Sequence, residues 1–97
     1  MRYKCKNELK CKVLEDVTNI IKNDSNIFPD KISDIVTIDG LRIIFPKGFA
    51  LIRQSNTEPV FTLRFEASTK KKATQYKNIM ISLLDECITK LTDREEK

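Results

Sequence analysis

One polar segment of the chain combines side chains that can bind a phosphate group. It lies between two apolar runs and reads Arg53-Gln54-Ser55-Asn56-Thr57-Glu58-Pro59. The planar guanidinium of Arg53 can donate two parallel hydrogen bonds to a phosphate. Ser55 and Thr57 supply hydroxyl groups, Asn56 supplies an amide, and the backbone N–H groups of a turn can form a concave anion site. These residue types therefore predict a cradle for a phosphate dianion.

The same segment also has a simpler interpretation. Ser, Asn and Thr are common in turns because their side chains bond the neighbouring backbone. In that interpretation Arg53 is only a surface charge at the end of a strand. No general phosphate-binding motif has this spacing. The residue types alone leave both interpretations open.

The apolar pattern predicts seven elements in the order β-α-β-β-β-β-α. Alternating apolar residues indicate strands, and apolar residues three or four apart indicate helices. The expected spans are a strand at Arg2–Lys6, a helix at Glu8–Lys22 with Asn7 as its N-cap, strands at Asp34–Asp39, Leu41–Phe45, Phe49–Arg53 and Val60–Glu66, and a long helix from a cap at Ser68 or Thr69 to Leu91. Asp39-Gly40 favours a hairpin turn, and residues 92–97 are expected to form a frayed tail.

Two helices beside a mostly antiparallel sheet are expected to share one of its faces, because each element buries one apolar side. The fold class is therefore α+β, with two layers and a partly solvated second sheet face. Arg42, Thr62, Arg64 and Glu66 alternate with apolar residues and are expected on that second face. Arg53 would then stand at a rigid strand end beside the polar segment.

Length and composition exclude several function classes. The 97 residues permit one domain. The chain has no His, which excludes Ser-His and Cys-His nucleophile pairs and imidazole metal sites. Gly40 and Gly48 lie too far apart for the glycine-rich nucleotide motifs. The N-terminal sequence resembles no signal peptide, and three cysteines without C-x-x-C spacing fit reduced thiols, so we expect a cytoplasmic protein.

The net charge of +4 leaves open a small basic nucleic-acid-binding module as the alternative function. Lysines concentrate in two places, Lys4, Lys6, Lys10 and Lys12 near the N-terminus and Lys70–Lys72 later, with acidic residues beside both groups. A nucleic-acid face usually has a denser basic stripe with interleaved aromatic residues. We therefore expect these lysines to form solvated surface.

The middle of the chain resembles a known family. The resemblance rests on three segments: Asp39-Gly40-Leu41-Arg42-Ile43, Pro46-Lys47-Gly48-Phe49-Ala50-Leu51-Ile52-Arg53-Gln54-Ser55-Asn56-Thr57-Glu58-Pro59 and Leu63-Arg64-Phe65-Glu66-Ala67. They resemble the C-terminal domain, domain 4, of the α-D-phosphohexomutases, of the phosphomannomutase/phosphoglucomutase type. The resemblance covers residues 1–91, and Asn56 favours this type over relatives that act on glucosamine phosphate.

The resemblance implies a fold like one repeat of the TATA-binding protein and a role in binding the substrate. Arg53, Ser55, Asn56 and Thr57 match the positions that bind the phosphate group away from the reacting hydroxyl. Such enzymes interconvert hexose 1-phosphate and 6-phosphate through a phosphoserine and a bisphosphate intermediate.

The resemblance also implies that the chemistry belongs to other domains. The phosphoserine and a magnesium site lie in earlier domains of such enzymes, so no catalytic or metal residue and no cofactor is expected in this chain. The isolated chain is therefore expected to be inactive. Its expected partners are a mannose or glucose 1- or 6-phosphate and the other domains of the parent enzyme, not nucleic acid or a membrane.

Overall fold

The structure, a computed structural model, describes residues 1–24, 26–38 and 40–95, with side chains as far as residue 92. Within these residues the elements follow the predicted order. They are β1 (Arg2–Lys4), α1 (Asn7–Asn23), β2 (Asp34–Val36), β3 (Leu41–Phe45), β4 (Gly48–Gln54), β5 (Val60–Glu66) and α2 (Lys70–Glu95). All neighbouring strands pair antiparallel, in the order β1-β5-β4-β3-β2. The α+β prediction is confirmed.

One face of the sheet packs against both helices, and we call it the helix face. Its central side chains are at most 2 % exposed: Leu41, Ile43, Ala50, Ile52, Phe61 and Leu63. They form one core with the apolar stripes of the helices, among them Val13, Val17, Tyr76, Met80 and Leu84. The opposite face, which we call the open face, carries Arg42, Arg53, Thr62, Arg64 and Glu66, all exposed. The predicted two-layer arrangement is confirmed.

The first helix starts earlier than expected. Lys6 occupies the N-cap position of α1 and makes no side-chain capping bond, so the prediction that Asn7 is the N-cap is wrong. The N–H of Cys5 donates to the Pro59 carbonyl at 2.8 Å, which keeps the chain beside β5 as far as this residue. The chain then turns directly into the helix. Glu8 in the first turn and Lys22 in the last complement the helix dipole.

The second strand is shorter than the predicted Asp34–Asp39. It ends at Val36, and Ile38 beyond it is 93 % exposed. Gly40 adopts a positive φ of 98° before β3 begins. The other member of the predicted turn, Asp39, lies outside the described residues.

The long helix begins after one of its two predicted caps. The Thr69 hydroxyl oxygen accepts a bond from the Lys72 N–H at 3.1 Å, which satisfies a donor of the first turn. The helix continues to Glu95, so its backbone enters the segment that we expected to fray. Residues 96 and 97 lie outside the described part, and fraying stays a prediction.

The connection between α1 and β2 is anchored on α2. The Asp30 carboxylate accepts hydrogen bonds from the Tyr76 hydroxyl and the Lys72 ammonium. Phe28 meets Phe45 edge to face at 5.2 Å between ring centroids, and Phe45 stacks on Tyr76 at 4.3 Å. The hydrogen bond from Lys72, and after it the bond from Tyr76, lowers the pKa of Asp30. These contacts close the core at the end of the domain away from the polar segment.

Candidate functional site

The polar segment forms the connection between β4 and β5, which we call the β4–β5 loop (Ser55–Pro59). The last ladder pair before it is Gln54 with Phe61. The N–H of Ser55 then donates to the Val60 carbonyl at 3.2 Å, so the loop is a tight hairpin connection. Ser55 is half-buried, and Asn56, Thr57 and the two residues after them are exposed. Three of the residues predicted for phosphate binding, Ser55, Asn56 and Thr57, therefore lie in one solvent-facing turn.

The Ser55 hydroxyl organises this turn. Its oxygen accepts the backbone N–H of Thr57 at 3.4 Å and that of Glu58 at 3.2 Å. A hydroxyl oxygen has two lone pairs and one hydrogen. Because both lone pairs face backbone donors, the Ser55 O–H is left to donate to another group. A hydroxyl that is left to donate suits an anionic partner.

Arg53 precedes the loop on the open face. Its backbone pairs with Thr62 of β5, and its side chain is exposed. On the other side lies Gly40, where an added Cβ would be 2.2 Å from the Ile52 carbonyl oxygen and 3.2 Å from the Arg53 Cα. The backbone that carries Arg53 is thus held between β5 and a closely approaching glycine, which supports the prediction of a rigid strand end.

A small cleft of about 200 Å³ lies beside Arg53 on the open face. Its lining consists of Val36, Ile38, Arg42, Leu51 and Arg53. Arg42 lies next to Leu51 in the ladder, and its guanidinium is 5.6 Å from the centre of the Phe49 ring. Two arginines and three apolar residues therefore line a cleft on the open face near the end of β4.

The rear of the β4–β5 loop is held by the N-terminal part of the chain. The ammonium of Lys10 donates to the carbonyl oxygens of Ser55 at 2.7 Å and Glu58 at 2.5 Å. Arg2 of β1 forms an ion pair with the Glu58 carboxylate, and Cys5 donates to the Pro59 carbonyl. The site thus joins two parts of the chain that are about fifty residues apart.

Lys10 corrects one prediction. We expected it among solvated lysines, but only 3 % of it is exposed. Its position on α1, three residues before Val13 and seven before Val17, places it on the buried stripe. This spacing could have indicated from the sequence that Lys10 is buried. We missed it because we grouped Lys10 with the neighbouring lysines, which were expected to be solvated.

The described residues contain no group of three or more His, Cys, Asp or Glu side chains that could hold a metal ion. The donors around the β4–β5 loop are a guanidinium, hydroxyls, a side-chain amide and the Asn56 backbone N–H, which recognise anions rather than cations. None of the helices in the described part is long and apolar enough to cross a membrane.

Comparison with known proteins assigns the chain to a family. Residues 1–83 match the family described as "Phosphoglucomutase/phosphomannomutase, C-terminal domain". The chain belongs to this family. The resemblance that we found in the sequence is confirmed, and the domain is part of an enzyme family.

Several members share close sequence similarity with about half of this chain. A phosphoglucomutase of Neisseria meningitidis serogroup B is 52 % identical over 46 residues, which cover 47 % of this chain and 10 % of that protein. A phosphomannomutase/phosphoglucomutase of Pseudomonas aeruginosa is 48 % identical over 46 residues, with the same two shares. The matched region thus spans about a tenth of the length of these relatives.

The fold has a counterpart in a solved structure. A crystal structure of a phosphoglucomutase/phosphomannomutase family protein from Burkholderia thailandensis superimposes with a TM-score of 0.64 and 30 % sequence identity. The match covers 90 % of this chain and 17 % of that chain. The two-layer fold of this phosphoglucomutase/phosphomannomutase C-terminal domain therefore recurs in a larger family member.

Proposed function

We propose that this domain binds the phosphate group of a hexose phosphate in a phosphomannomutase/phosphoglucomutase. The observation that carries the proposal is the β4–β5 loop, in which Ser55, Asn56 and Thr57 share one solvent-facing turn that begins two residues after Arg53. A phosphate dianion needs several donors and a positive charge, and this turn and Arg53 together supply both.

Each proposed contact has a chemical role. Arg53 binds two phosphate oxygens through its planar guanidinium. Ser55 donates its free O–H, since its oxygen already accepts two backbone N–H bonds. Asn56 and Thr57, both exposed, add an amide and a second hydroxyl. None of these groups performs proton transfer or nucleophilic attack, so the domain contributes binding and orientation only.

This division of labour suits a mutase that interconverts hexose 1-phosphate and 6-phosphate. A bisphosphate intermediate must be held in two orientations, with either phosphate at the reacting position. A clamp that contacts the non-reacting phosphate and not the sugar serves both orientations, for mannose and for glucose phosphates.

The remaining chemistry is assigned to the other domains of the parent enzyme. The phosphoserine and the magnesium ion belong there, and the isolated chain is expected to be inactive. A cytoplasmic location is part of the proposal. Three free cysteines in the described residues, two of them buried, are consistent with a reducing compartment.

The open face gives little support to nucleic-acid binding. Two of its arginines are ion-paired, Arg2 with Glu58 and Arg64 with Glu66. A duplex-binding face presents an uninterrupted positive stripe, since its affinity comes mostly from phosphate contacts along the backbone.

The test is an NMR titration of the ¹⁵N-labelled 97-residue chain with mannose 6-phosphate and with inorganic phosphate. The amide signals of Ser55–Glu58 should shift first, with a Kd on the order of 1 mM for a single clamp. Arg53→Ala should weaken binding by about tenfold or more, because it removes charge-assisted hydrogen bonds. Lys47→Ala is the matched control, since Lys47 is exposed at the opposite end of β4 and its loss removes the same charge.

Two results would count against the proposal. One is a set of shifts confined to residues 4–12, or no shift at all in the β4–β5 loop. The other is equal weakening by Arg53→Ala and Lys47→Ala, which would indicate general charge attraction. A third arm adds duplex DNA, and binding with a steep salt dependence there would favour the nucleic-acid alternative.

A further inference from the structure

Lys10 is a buried cation that serves the β4–β5 loop. Lysine side chains are almost never fully buried unless paired, because the charge loses its hydration. Here the ammonium is bonded to the carbonyl oxygens of Ser55 and Glu58, at 2.7 and 2.5 Å. These two carbonyls lie at opposite ends of the turn. One side chain of α1 therefore spans the turn from behind.

These bonds decide which way the loop peptides face. The peptide between Ser55 and Asn56 is trans, so its N–H points opposite to its C=O. Because the Ser55 carbonyl points inward at Lys10, the Asn56 N–H points outward. At the other end, the Glu58 carbonyl accepts both Lys10 and the Val60 N–H, at 2.8 Å, and is likewise kept inward.

The inward carbonyls matter because carbonyl oxygens repel an anion. A loop of this length that turned a carbonyl outward would place a partial negative charge in the phosphate position. The partners of Lys10 are carbonyl groups, which carry no net charge. Lys10 therefore keeps its full positive charge. That charge lies behind the turn, where water screens it less than at the surface.

We propose that Lys10 is a positioning residue of the phosphate site: it holds the Ser55 and Glu58 carbonyls inward, so that the Asn56 N–H faces the ligand and neither of these carbonyls does. The proposal rests on the proposed function and adds a residue from the first helix to it. Lys10 itself does not touch the phosphate, because it lies behind the backbone that does.

The test compares Lys10→Met with Lys12→Met in the full 97-residue chain. Methionine keeps much of the apolar stem of lysine and removes the charge. Lys12 lies on the same helix with a side chain 49 % exposed and ion-paired to Asp16 at 3.2 Å, so its variant loses the same charge without touching the loop. Circular dichroism checks that each variant is folded.

Two readouts separate positioning from general stability. Without ligand, Lys10→Met should lower the heteronuclear NOE of the Asn56–Glu58 amides and move their signals, while signals of β3 stay in place. With inorganic phosphate, Lys10→Met should weaken binding by about tenfold, and Lys12→Met by less than twofold.

The outcomes distinguish this proposal from the proposed function. Phosphate binding by the wild type that Lys10→Met leaves within twofold would overturn the role of Lys10 and leave the proposed function standing. No binding by the wild type would overturn the proposed function, and an unchanged loop NOE in Lys10→Met would then overturn the positioning role as well.

If Lys10→Met does not fold, a measurement on the wild type tests the proposal instead. The Lys10 ammonium should give a slowly exchanging ¹⁵N signal that shifts as phosphate binds, unlike that of Lys12. A Lys10 ammonium that exchanges as fast as the Lys12 ammonium would overturn the proposal.

Discussion

Gly40 is the residue whose replacement should most directly disturb the strand end that carries Arg53. Its φ is +98°, a region in which an L side chain costs about 1–2 kcal/mol. An added Cβ would also lie 2.2 Å from the Ile52 carbonyl oxygen, so β3 and β4 must separate by roughly 1 Å. Such overpacking costs a further ~1–3 kcal/mol. Gly40→Ala should therefore lose about 2–5 kcal/mol of the roughly 5–15 kcal/mol expected for a domain of this size.

Gly48→Ala is the matched control for this prediction. Gly48 meets a similar contact, 2.2 Å to the Glu66 carbonyl oxygen, but it is not among the positive-φ residues. It should therefore lose only the overpacking part. Urea unfolding followed by far-ultraviolet circular dichroism measures both variants, and Gly40→Ala should be the less stable by about 1–2 kcal/mol. Equal losses would refute the argument from φ, and losses under ~0.5 kcal/mol in both would refute the steric argument.

Two further predictions concern titratable side chains. Burial and the bond to Asp30 raise the pKa of Tyr76 to about 12 from its ordinary 10.0, so the wild type should lose stability as the pH rises from 10 to 12. Tyr76→Phe should show a smaller loss in urea unfolding, and an unchanged loss would contradict this. Exposed Cys11 should react with Ellman's reagent before buried Cys5 and Cys87, whose thiol pKa values burial raises. Equal rates at all three thiols would contradict the structure.

Features that depend on local pattern could be predicted well from the sequence. The bounds of β3 and β5 agree with the alternation of apolar and polar residues. Successive side chains of a strand point to opposite faces of the sheet, and here one face is buried and the other is open. The prediction that Arg42, Thr62, Arg64 and Glu66 lie on the second sheet face also agrees with the register. The β4–β5 loop was recognisable for the same reason, since its polar residues are consecutive.

Features that depend on contacts with distant parts of the chain were predicted less well. Asn7 has a side chain suited to capping, but the helix begins after Lys6, where the bond from Cys5 to Pro59 ends. The second strand was expected to continue to Asp39, yet no neighbouring element covers Ile38 and the pairing stops at Val36. In both places tertiary contacts override the local preference.

The sequence by itself determined the element order, the α+β class, the family and the polar turn that contains Ser55, Asn56 and Thr57. These properties follow from the spacing of neighbouring residues. Only the tertiary structure decided that Lys10 lies buried behind that turn and that Gly40 lies against the backbone of Arg53. The physical reason is that a charged group is buried only where hydrogen-bond partners replace its hydration. The partners of Lys10 are carbonyl groups more than forty residues away along the chain, and only the fold brings them within 3 Å of its ammonium.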